Sequence, residues 1–124
     1  MRGMTLDAEV CAALQKRKRF FLPSGTEVVD IYGSVGSGYM MSLDGRLFEW
    51  DLDFDEREVT DPVRVRLALV VGSKAMPELR RLIPQRPQGA VDCGPCQGSG
   101  TARLNDQVSW ACNPCGGVGW IEAP

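Results

Sequence analysis

The residues best suited to chemistry in this chain are four cysteines near its end. CGPCQGSG runs from Cys93 to Gly100 and CNPCGGVG from Cys112 to Gly119, so one C-x-x-C-x-G-x-G pattern occurs twice, with fifteen residues between Cys96 and Cys112. Two C-x-x-C pairs at this separation match the four-thiolate zinc pattern in pair spacing and in intervening length. Each pair aims two sulfurs at one ion, about 2.3 Å away, and the chain must then turn sharply so that backbone amides approach those sulfurs. Glycine reaches such backbone angles without steric cost. The expectation is one structural Zn2+ held by Cys93, Cys96, Cys112 and Cys115. Four cysteines close the coordination sphere, whereas a catalytic zinc keeps one position open. The alternatives are two disulfides or a redox motif. Nothing in the sequence points to secretion, and a redox C-x-x-C comes singly in a βαβ setting.

Composition narrows the rest. The chain has 124 residues and no histidine, which removes Ser-His-Asp and Cys-His catalysis together with histidine-ligated metals. Fourteen Lys and Arg against sixteen Asp and Glu leave a net charge of −2, so no global field draws nucleic acid or anionic lipid. No nucleophile, base and orienting group can be assembled, and an enzyme is not expected. No apolar run reaches the ~20 residues of a membrane-spanning helix, and the start lacks a charged-then-apolar signal pattern. A cytoplasmic location, with no membrane partner and no nucleic acid, is expected.

Several other features invite a functional reading. Glu49, Asp51, Asp53 and Asp55 alternate with Phe48, Trp50, Leu52 and Phe54, which places the four carboxylates on one face of a strand. Such a row can protect a sheet edge or receive a basic protein partner. Asp51 to Pro62 resembles a calcium loop only superficially, because Glu56 stands at the glycine position and Pro62 at the closing carboxylate. GSVGSG, Gly33 to Gly38, precedes no helix and has no P-loop lysine, so it reads as a loop between strands. The run Lys16 to Arg19 reads as dipole-complementing charge at a helix end, and Cys11 as a small buried hydrophobe.

The elements that must position these groups are legible in outline. A helix is expected from Thr5, as N-cap, to Arg19, with Leu6, Val10 and Leu14 on one face. Glu27 to Tyr32 reads as a strand. Asp44-Gly45 reads as a two-residue hairpin turn that pairs Leu43 with Arg46, Met41 with Phe48 and Tyr39 with Trp50. Asp61-Pro62 signals a helix start, although Val63, Val65, Leu67, Leu69 and Val71 alternate like a strand; the helix, to about Val71, is the reading adopted. A short helix follows over Pro77 to Ile83. Pro84, Pro87 and Gly89 mark a boundary between a body, 1–88, and a cysteine module, 89–124. In the module a hairpin turning at Asn105-Asp106 carries both cysteine pairs. The fold class is α+β: an N-terminal helix and small antiparallel sheet, one or two further helices, then a four-cysteine zinc ribbon.

Two family resemblances follow. The doubled C-x-x-C-x-G-x-G resembles one half of the DnaJ-type cysteine-rich domain and the motif of the bacterial anti-TRAP protein. This likeness implies zinc ligation by Cys93, Cys96, Cys112 and Cys115. The J-domain and the other two motifs of a DnaJ protein are absent, so chaperone activity is not implied. Tyr32 to Asp53 resembles the glycine-containing loop and hairpin of the SUKH superfamily, which includes many bacterial immunity proteins. Together these imply a non-enzymatic zinc-binding protein that acts as a protein-interaction module, immunity-like through its acidic strand. The alternative is a DnaJ-related accessory factor that binds proteins through the ribbon around Trp110 and Trp120.

Overall fold

The computed structural model describes residues 3–123. Helix α1, Ala8–Gln15, is capped by Asp7, whose carboxylate accepts the Val10 N–H at 2.9 Å. That hydrogen bond, and behind it the Arg81 guanidinium, hold the Asp7 carboxyl below its ordinary pKa. The expected helix is therefore shortened at both ends. Its cap is Asp7 rather than Thr5, and Arg19 already belongs to strand β1, Arg19–Phe21. The run of four cations is divided between a helix end and a strand and forms no terminal cluster.

Strands β2, Glu27–Gly33, β3, Ser37–Ser42, β4, Leu47–Asp51, and β5, Phe54–Glu58, complete an antiparallel meander in the order β1-β2-β3-β4-β5. The sheet curls, and the Ser24 N–H in the β1–β2 turn donates to Glu56 of β5 at 2.6 Å. On one face Val29, Ile31, Met41 and Leu47 pack against Val10 and Leu14 of α1 and Leu69 of helix α2, Pro62–Gly72. On the other face Leu22, Val28, Met40 and Phe48 form a smaller cluster with Phe20 and Trp50. A 3-10 helix, Pro77–Leu82, inserts Leu79 into the main core, and its Arg81 pairs with Asp7 and Glu9 of α1. No helix among the described residues is long and apolar enough to cross a membrane.

The hairpin register differs from expectation by one residue. Met40 faces Phe48 and Met41 faces Leu47, because Leu43, Asp44 and Gly45 together form a three-residue loop closed by the Ser42 N–H on the Arg46 carbonyl at 2.9 Å. Asp44-Gly45 serves equally well as the end of such a loop, with glycine in the left-handed position; Gly45 has φ +88°. A one-residue slip sends each side chain to the opposite face relative to its partner strand. Tyr39 and Met41 therefore lie with Leu47 and Glu49 on the helix side, not with Phe48 and Trp50.

The acidic row dissolves for a related reason. The chain does not run straight from Arg46 to Asp55: Asp51 accepts the Asp53 N–H at 2.7 Å, and Leu52 and Asp53 turn the chain into β5. Asp51 ends β4, Asp53 lies in the turn and Asp55 stands on β5. Leu52, expected on the aromatic side of the strand, is 86% exposed. Glu49 is buried on the helix side, where it accepts from Arg57 Nε at 3.1 Å and from Arg64. Its charge is matched inside the molecule.

Helix α2 confirms the capping signal over the alternating pattern. Asp61 accepts the Arg64 N–H at 3.1 Å, and Pro62 occupies the first turn. The pattern looked strand-like because α2 is covered on two sides. Ala68, Leu69 and Gly72 face the sheet, while Val63, Arg66 and Val70 face the cysteine-bearing segment. A helix buried on two sides has no single apolar stripe.

Candidate metal centre

The segment after the 3-10 helix has little core of its own. Two short antiparallel pairs frame it: β6, Val91–Asp92, with β9, Trp120–Ile121, and β7, Thr101–Arg103, with β8, Ser109–Ala111. The β7–β8 hairpin is the one expected, closed where Asn105 Oδ1 accepts the Gln107 and Val108 N–H groups. Among the described residues of this segment the one buried cluster is the four cysteines, with Val118 and Ile121 packed against them.

Their sulfurs converge. Cys93 and Cys112 lie 3.8 Å apart, as do Cys96 and Cys115, and all four sulfurs fall within 4.8 Å of one another. A tetrahedral ion with metal–sulfur bonds of about 2.3 Å requires sulfur–sulfur edges of about 3.8 Å. A disulfide would need about 2.05 Å, and all four cysteines are free. The four thiols form one buried site of the right size for a single metal ion.

The repeat explains how the chain builds this. In each knuckle the second glycine does two jobs. The Gly100 N–H donates to Cys96 Sγ and the Gly119 N–H to Cys115 Sγ, both at 3.2 Å. The carbonyl of Gly100 accepts the Cys112 N–H, and that of Gly119 accepts the Cys93 N–H, both at 2.9 Å. Each repeat thus holds its own second sulfur and the first cysteine of its twin, so the two knuckles fix one another in a pseudo-two-fold pair. Gly100 and Gly119 have φ +79° and +88°, and a Cβ on either would come within 2.5 Å or 2.4 Å of a backbone oxygen of the other knuckle. Only glycine fits there.

Electrostatics favour a cation at the centre. Burial pushes the Cys112 thiol, with three other thiols around it, up to about 12. Cys93 is also raised, by burial. At Cys96 burial works against ionisation, but the Gly100 amide and the three surrounding thiols donate to the sulfur and hold it down at about 6. A cluster that stabilises the thiolate of Cys96 and resists those of Cys93 and Cys112 needs positive charge to ionise fully. Uptake of a divalent ion therefore releases protons and strengthens as pH rises. Arg66 of α2 meets the second knuckle at Gly116 and is buried there, its guanidinium 4.7 Å above the Trp120 ring.

The two knuckles are not equivalent. Gln97 and Gly116 occupy matching positions, both at positive φ (55° and 68°). Gln97 is exposed, but a Cβ on Gly116 would lie 2.5 Å from the Val63 carbonyl of α2. The second knuckle is glycine there because it is the one seated on the helix. Gly116→Gln therefore gives the docked knuckle a residue that its twin tolerates. Metal content should remain unchanged, while overpacking against α2 costs about 1–3 kcal/mol in thermal unfolding. Loss of the metal would show that the positive φ alone demanded glycine.

Of the residues singled out in the sequence, Cys93, Cys96, Cys112 and Cys115 come together, and Cys11 stands apart, half-buried on α1. Glu49, Asp51, Asp53 and Asp55 form no common face. Trp120 is buried beneath Arg66, so Trp110 alone of the two tryptophans is presented at the ribbon surface. Arg66 was missed, since a charged residue in an apolar helix reads as solvated. Comparison of the chain with protein-family models, with curated proteins and with solved structures gives no match in any of the three.

Proposed function

We propose that this chain is a non-enzymatic, cytosolic protein-interaction module stabilised by one structural zinc ion. The observation that carries the reading is the sulfur tetrahedron: four buried thiols with paired edges of 3.8 Å, each knuckle held by its twin. Tetrahedral thiolate sites suit zinc or iron, and two knuckles closing a single-ion site favour zinc, whose filled d shell brings no redox chemistry. Four protein ligands leave no open position for a substrate, which assigns the metal to folding. Free thiols packed this closely fit a reducing compartment.

The likeness of Tyr32 to Asp53 to SUKH hairpins supports an immunity-like role for the sheet. The second reading, a DnaJ-related accessory factor, is favoured by one observation. Leu104, Val108 and Trp110 of the β7–β8 hairpin are 72%, 45% and 47% exposed, a small apolar patch on the ribbon itself. Photo-crosslinking in cells tests both, with benzoylphenylalanine placed at Leu104 in one protein and at Phe21 in another. A discrete protein adduct at Phe21 supports the first reading and one at Leu104 the second. Absence of any protein adduct at either position contradicts the interaction role.

A further inference from the structure

The outer face of the curled sheet ends in an open cleft of about 640 Å³, to whose lining the cysteine-bearing segment contributes no residue. Its two sides are the sheet's two edges. Phe20 comes from β1, Phe54 and Asp55 from β5, Trp50 from β4 and Asp30 from β2, with Arg17 at the rim. Among the described residues, edge strands β1 and β5 each pair with one neighbour, so both present unpaired main-chain groups beside the cleft.

Its charge is not balanced from within. Among the described residues, the carboxylates engaged in ion pairs are those of Asp7, Glu9, Glu27, Asp44, Glu49 and Asp92. Asp30 and Asp55 are not among them. Arg17 lies close enough to Asp30 to ease its burial, but its N–H donates to the Ala75 carbonyl at 3.2 Å. Aromatic walls with two carboxylates and one engaged cation call for a ligand that is both flat and positive. The molecule's own packing shows which group meets that need. Arg46, Arg57 and Arg66 lie over aromatic rings, and Arg57, which does not itself line the cleft, stands 4.1 Å from the centre of the Phe54 ring. A guanidinium stacks on an aromatic face and still directs its fork of donors to a carboxylate, which a lysine ammonium does not.

We infer that the cleft between β1 and β5 receives an arginine side chain of a partner polypeptide, with the guanidinium stacked on Trp50 and paired with Asp30, Asp55 adding negative charge to the same cleft, while the partner's backbone runs along a sheet edge. This deepens the reading of the chain as an interaction module and rests on it. The occupant is a chain rather than a free guanidinium compound because the pocket is an open trough bounded by two unpaired edges.

Titration of the metal-loaded, isotope-labelled protein with acetyl-Ala-Ala-Arg-Ala-Ala-amide tests this by amide and indole NMR. The Trp50 indole and the backbone amides of Asp30 and Asp55 should shift saturably. The citrulline peptide, neutral and of the same shape, should bind at least tenfold more weakly, as should the arginine peptide to Asp30→Asn. Asp53→Asn, whose side chain lies outside the cleft, should bind as wild type does. Equal affinity for the citrulline peptide, or an unchanged affinity in Asp30→Asn, overturns the inference. Equal affinity for N-acetyl-arginine amide overturns the polypeptide partner and leaves a small guanidinium ligand. Crosslinking to a partner with no response to arginine removes the cleft proposal alone, whereas an arginine response with no cellular partner removes the interaction role alone.

Discussion

Cys112→Ser is expected to release the metal and unfold residues 89–124. Serine offers no thiolate, and Cys112 is fully enclosed, its sulfur 3.8 Å from that of Cys93 and its N–H bonded to Gly100. The segment that carries it has two strand pairs of two and three residues and, among its described residues, no apolar cluster beyond the cysteines, Val118 and Ile121. So small a core cannot offset the conformational entropy of the chain that it orders. A structural zinc contributes an apparent ~10–16 kcal/mol, comparable to the ~5–15 kcal/mol that holds a whole domain, so removing it decides the outcome locally. The sheet and α1 have their own core and should stay folded, with a lower melting temperature because α2 loses the cover of Trp120 and Gly116. Metal analysis with circular dichroism checks this. Cys11→Ser, which removes the one cysteine outside the cluster, should leave the metal content unchanged. Retention of metal by Cys112→Ser would mean that three sulfurs suffice.

Gly119→Ala should be nearly as damaging, although it removes no ligand. A methyl group at this position would lie 2.4 Å from the Gly98 carbonyl oxygen, a backbone atom that cannot move without dragging the first knuckle. The residue also sits at φ +88°, which costs an alanine about 1–2 kcal/mol by itself. Its N–H supports Cys115 Sγ and its carbonyl supports Cys93, so a displaced backbone misplaces two of the four sulfurs. A loss of about 3 kcal/mol or more, with metal affinity reduced at least tenfold, is expected. Gly94→Ala is the control, because nothing lies within 4 Å of its added methyl group. It should be tolerated within about 0.5 kcal/mol. A competition titration with a metal-binding dye reads both variants. Similar affinities for the two would contradict the interlocked-knuckle geometry.

The metal site could be read from the sequence because ligands and turn glycines lie within two short local repeats, and local chemistry leaves a local trace. The same holds for α2, where Asp61-Pro62 outweighed a misleading alternation. Register was legible only up to the choice between two turns that Asp44-Gly45 serves equally. That choice is made by tertiary contact, since Met4 packs against Gly45 with its N–H on the Gly45 carbonyl at 2.8 Å. The acidic row failed because alternation continued through a turn, at Leu52 and Asp53, that no glycine or proline announces. The seating of the second knuckle on α2 left one mark, glycine at 116 where its twin has Gln97, and two copies of a motif are too few to interpret such a difference without the fold. The carboxylates that line the cleft, Asp30 and Asp55, stand 25 positions apart on β2 and β5, and only the curl of the sheet brings both to one cleft.

In the proposed reading, one zinc ion, bound by four thiolates, holds the last third of the chain. Zinc content and thiol content measured on the same purified, reductant-free sample test this. One zinc per chain is expected, with the thiols of Cys93, Cys96, Cys112 and Cys115 protected from a thiol reagent until a chelator is added, and Cys11 alone reactive beforehand. A protein that carries no metal and shows two disulfides among those four cysteines would contradict it.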